Sequence, residues 1–162
     1  MSDSDRNDYK EISKILQIIV FGEASICPDE EKAMIADVFL NELSYPAFMF
    51  DRTGGKEGKA DPRGIAKNFD AWNKPNIHLT KAYDVEKFIQ CGLIADRELE
   101  KYIAGERDLS DKAVFYITKK RLSELEAAGK TPQDIFTKYY KVIEIPVAEN
   151  FYHRFFKIGG EL

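Results

Sequence analysis

The chain has 162 residues, 44% of them apolar and 12% aromatic, with a formal net charge of −4. That is enough apolar material for an ordinary core, which excludes wholesale disorder, and the length suits a single domain over 1–162. The negative balance argues against a protein that coats nucleic acid or an anionic membrane indiscriminately, since that work needs summed positive charge.

The charge is uneven. Residues 1–74 hold 10 basic and 14 acidic side chains and 75–162 hold 14 of each, but 112–142 alone hold seven basic against three acidic. Cys27 and Cys91 give no disulfide framework, which suits a reducing compartment. No apolar run reaches membrane-spanning length, and the start Met-Ser-Asp-Ser-Asp lacks a signal peptide's basic and apolar regions. The expectation is a cytoplasmic protein with no membrane partner.

Along the chain, Ile12, Ile15, Leu16 and Ile19 share one face at helical spacing, predicting a helix over 8–21 that stops at Gly22. Pro28 and the acids Asp29, Glu30 and Glu31 predict the next helix start, with Ile35, Ala36, Phe39, Leu40 and Leu43 inward. These two helices form a hairpin, a helical extension over 1–50. Tyr45-Pro-Ala-Phe-Met-Phe50 reads as an extended edge piece. The stretch 51–64 is a Gly-rich loop. Its Gly54–Gly58 spacing is one residue short of a P-loop, and Lys59 is followed by Ala60, so a magnesium-binding hydroxyl is missing. A short helix over 64–72 would dock Ile65, Phe69 and Trp72 on a core spanning 65–162.

The stretch 76–145 supports two readings. In the helical one, 84–90 is a helix with Val85, Phe88 and Ile89 inward, and Cys91-Gly92-Leu93 is a turn. A further helix covers 96–104 with Leu99, Tyr102 and Ile103 inward, capped by Gly105 at positive φ. Leu109-Ser110-Asp111 then N-caps a helix over 112–128, Gly129 stops it, and Thr131-Pro132 opens another short helix. In the extended reading, 76–80, 113–118 and 141–147 are strands, each rich in β-branched or aromatic residues, with a helix over 82–90 between the first two. Residues 151–158 alternate loosely and pair back onto 141–147 through Ala148-Glu-Asn150.

Each reading carries a resemblance. Gly105-Glu-Arg-Asp-Leu-Ser110, a helix, then Gly129-Lys-Thr-Pro-Gln-Asp-Ile-Phe136 resembles the second half of a Cro/C1-type helix-turn-helix repressor domain. That resemblance implies DNA binding with 96–104 in the major groove and Arg97, Lys101 and Arg107 meeting DNA. The strand around His78 and Thr80, the helix ending in Gly92-Leu93 and the strand Phe115-Tyr-Ile-Thr118 resemble the NAD-binding core of ADP-ribosyltransferases. That resemblance implies an NAD-using enzyme with His78 and Tyr116 holding the cofactor and Glu161 stabilising the cationic sugar.

The charge pattern favours a third reading. Asp96-Arg-Glu-Leu-Glu-Lys101 has three acids against two bases, and a carboxylate facing a phosphate repels it. Cys27, His78, Cys91 and His153 are scattered without metal-ligand spacing, so neither a metal nor a resident cofactor is expected. His153, among aromatics, reads as packing. The expected fold is α+β: an N-terminal helical hairpin packed on a helix-rich central region with a small antiparallel C-terminal sheet. The expected function is non-enzymatic binding or regulation of a macromolecular partner, a protein with a basic surface before DNA, because complementary charge steers encounter.

Overall fold

A computed structural model describes residues 2–54, 58–75, 77, 79, 81–106 and 112–162, without the side chains of 4, 5 and 7. The fold is α+β, helices first and a three-stranded antiparallel sheet last. The chain divides into two compact units, Met1–Arg107 and Asp108–Leu162.

The first unit is helical. Helix α1 (Asp3–Ala24) and helix α2 (Asp29–Leu43) pack against each other, and the long helix α6 (Ala82–Ala104) packs on both. Their shared core holds Ile15, Leu16 and Ile19 from α1, Ile35, Phe39 and Leu40 from α2, and Ala95 and Leu99 from α6. Among the described residues, three short helices connect α2 to α6: α3 (Ala47–Phe50), α4 (Pro62–Ala66) and α5 (Asp70–Asn73). Ile65 and Phe69 are buried as expected, the Phe69 ring 5.9 Å from that of Phe39, while Trp72 is half-buried.

Three expectations are corrected in this unit. Residues 47–50 form one helical turn rather than an extended piece, with Met49 N–H donating to the Pro46 carbonyl at 3.0 Å. Proline's fixed φ suits a helix start as well as a sheet edge, and a short apolar run does not separate the two. The helix expected over 64–72 is split into α4 and α5, because Asp61 N-caps the chain at Pro62 and Lys67 ends that turn. Most consequential, 91–93 is not a turn. Helix α6 runs unbroken through Gly92, so the helix-turn-helix spacing implied by the repressor resemblance is not formed.

Gly92 serves a close approach instead. A Cβ there would lie 2.7 Å from Gln17 Nε2, and that amide donates to the Phe88 carbonyl at 3.0 Å. Glycine thus lets α1 lie close against α6, at about 1 kcal/mol of helix propensity. The helix ends as expected: Gly105 takes φ 68, and the Gly105 and Glu106 amides donate to the Tyr102 and Lys101 carbonyls.

Among its described residues, the second unit is a sheet with two short helices. Its order is β1 (Phe115–Thr118), β3 (His153–Glu161), β2 (Tyr140–Ile145), antiparallel throughout. The return of β3 onto β2 matches the expectation from 141–147 and 151–158. A helix over 112–128 is not formed: 115–118 pairs with 153–156, and α7 (Lys119–Ala127) starts only at the Thr118 N-cap. The β-branched and aromatic run there keeps its own preference once β3 supplies partners. The cap proposed at 109–111 and the strand proposed over 76–80 fall at least partly outside the described residues. Helix α8 (Pro132–Phe136) opens with the capping box of Thr131 and Asp134. The Phe136 ring stacks on Phe115 at 4.8 Å and leans on Phe156 at 5.1 Å, closing one sheet face. Gln133 finishes the β2 edge: its Nε2 donates to the Thr137 and Tyr140 carbonyls, and its Oε1 accepts from Val142 N–H at 2.9 Å.

Candidate protein interface

Helix α6 carries more apolar side chains than its packed face can use. The packed side holds Cys91, Gly92, Ile94, Ala95, Glu98 and Leu99. Continuing that phase back through one unbroken helix turns Val85 and Ile89 outward, and Ile103 likewise at the other end. These three are 39%, 53% and 52% exposed, which corrects their inward assignment. Two separate short helices could each have set their own phase; a 23-residue helix has only one. Leu93 joins them, 57% exposed. Val85, Ile89 and Leu93 sit four residues apart and form a continuous row about 12 Å long on the outer surface.

Acids surround this row. Glu86 and Glu100 are exposed and Asp96 is half-buried, with exposed Arg97 among them. Asp96 is held by the Ser13 hydroxyl, which donates to Oδ1 at 2.6 Å. The local field registers on a neighbour: burial first, then the Asp96 and Glu100 carboxylates, push the Tyr9 phenol above its ordinary value. Lys101 lies at the margin, its ammonium 3.1 Å from Glu98.

The residues singled out by the two resemblances are described only in part. Arg97 is exposed on α6, Lys101 is paired as described, and Arg107 lies outside the described residues. His78 also lies outside them. Tyr116 is half-buried in β1, its ring 5.3 Å from His153 and 6.0 Å from Phe155. Tyr116 pairs across from Phe155, and Glu161 lies six residues further along β3. At strand rise that places it about 20 Å away. A cofactor held at Tyr116 therefore has no Glu161 carboxylate beside it.

The thiols are not poised for nucleophilic chemistry. Burial, then the Glu31 carboxylate, pushes Cys27 up to about 12, and burial pushes Cys91 up as well. Both stay protonated near neutral pH, and the thiolate is the reactive form. In the Gly-rich loop, Asp51 is the organising group: its carboxylate accepts from the Thr53 amide and hydroxyl, each at 2.8 Å, and from the Asp61 amide at 2.7 Å. A carboxylate drawing in the loop's amides is opposite in sign to a phosphate cradle.

No protein-family model, curated protein or solved structure matches this chain.

Proposed function

We propose that this chain is a non-enzymatic, cytoplasmic binding protein that occupies the surface of a partner protein through the outer face of α6. The observation that carries the reading is the exposed row Val85, Ile89 and Leu93 set among Glu86, Asp96 and Glu100. An apolar centre with a charged margin is the composition of a protein interface, and the margin's sign selects a partner with a basic surface. The unit that bears it, 1–107, has 20 acidic against 15 basic residues. Cys27 and Cys91 are buried and form no disulfide, which suits a reducing compartment. Helix α6 itself is too polar to span a membrane, and no described helix is long and apolar enough to do so.

The test is a photo-crosslinking residue at Leu93 in the full chain inside its own cells, with a control at Lys130. One protein with a basic, partly apolar surface should cross-link from 93 and not from 130. Ile89→Asp should abolish that product. Identical products from both positions, or none from 93, overturn the reading.

A further inference from the structure

We infer that the occupant of this face is an amphipathic helix whose apolar side is flanked by Lys or Arg; the inference rests on the binding reading above and names the partner's chemistry. Three observations lead to it. First, α6 offers side chains alone: its amides and carbonyls are spent on the helix itself, and the face is no sheet edge. An extended peptide laid along it would bury its own backbone donors and acceptors unpaired, whereas a helix brings its hydrogen bonds with it. Second, Val85, Ile89 and Leu93 form an i, i+4, i+8 ridge, the shape that fits the groove between side-chain rows of another helix. Third, the ridge is bordered on α6 by Glu86, Asp96 and Glu100 against Arg97 and a Lys101 whose ammonium is already paired with Glu98, within a unit of net charge −5. A second copy of the chain would bring the same excess of acid to the face, so a basic partner is favoured over self-association.

The experiment uses the full chain and two synthetic peptides of about 18 residues, long enough for about five helical turns. Both have the same amphipathic pattern of Leu, one with Lys on its polar side and the other with Glu. Titration of the Lys peptide should shift the amide resonances of 85–103, and binding should weaken at least tenfold between about 0.05 and 0.5 M salt. Leu93→Asp should weaken binding at least tenfold as well. That substitution adds negative charge, which alone would attract the Lys peptide more, so a loss isolates the apolar ridge. Leu93 is exposed, and unchanged circular dichroism establishes that the variant folds.

Equal binding of the Glu peptide overturns the inference, as does Lys-peptide binding that Leu93→Asp leaves intact. A dimer of the chain itself that Leu93→Asp dissolves also overturns it, since the face then belongs to a second copy. A cross-link from position 93 to a partner, with no Lys-peptide binding, removes the basic helix and leaves the binding reading standing. Failure of both experiments removes both.

Discussion

Replacing Gly92 tests whether α6 is one helix held close to α1. Alanine in a helix interior is favoured over glycine by about 0.8–1 kcal/mol. Here the new Cβ would stand 2.7 Å from Gln17 Nε2, 2.9 Å from its Cδ and 3.2 Å from its Cγ, so the Gln17 side chain must leave. Leaving breaks its bond to the Phe88 carbonyl, worth about 1 kcal/mol net. Gly92→Ala alone should therefore change stability by less than about 1 kcal/mol, two opposed effects of similar size. In a Gln17→Ala background the collision and the bond are both already gone, and Gly92→Ala should stabilise by about 1 kcal/mol. Urea unfolding of the wild type, both single variants and the double variant measures the difference, a coupling of about 1 kcal/mol. Additivity within about 0.3 kcal/mol would refute the close approach. A loss on Gly92→Ala in both backgrounds would restore the turn at 91–93.

Three further outcomes are expected. Glu42 is 4% exposed and its carboxyl is raised well above the ordinary value, by burial first, with the Asn68 amide at 2.8 Å and the Arg52 charge pulling the other way. Its folded pKa exceeds its unfolded one, so the folded state binds more protons between the two. Stability from this group is fully present below the unfolded value and is lost as pH rises through the folded one. Glu42→Gln keeps an acceptor for Asn68 and should gain on the wild type in urea midpoint as pH rises; parallel pH profiles would contradict this. Gln133→Ala should leave Val142 N–H without its acceptor, cost about 1–3 kcal/mol and speed amide exchange at Val142; unchanged exchange there would count against the edge cap. Cys27, held at about 12 and buried, should alkylate with iodoacetamide at least 100-fold slower than a free thiol at neutral pH, and quickly once unfolded, as read by mass spectrometry.

Much of this architecture is legible in the amino-acid order because local chemistry settles it. Pro28 with three acids sets the start of α2, Gly105 the end of α6, Thr131-Pro132 with Asp134 the start of α8, and β-branched residues the return of β3 on β2. Each of these depends on neighbours within a few residues. The α+β class follows from such local signals.

What only tertiary structure decided are the places where a distant partner arbitrates between two locally permitted states. Gly92 is as good a turn residue as a packing residue, and Gln17, far away in sequence, selects the second. Residues 115–118 can wind or extend, and β3 pairs with them. Val85 and Ile89 have no intrinsic side: once α6 is continuous, the packing of Ala95 and Leu99 fixes the helix phase and turns them to solvent. The candidate interface is therefore a tertiary product, because a rigid helix carries the orientation set at its buried turns along its whole length.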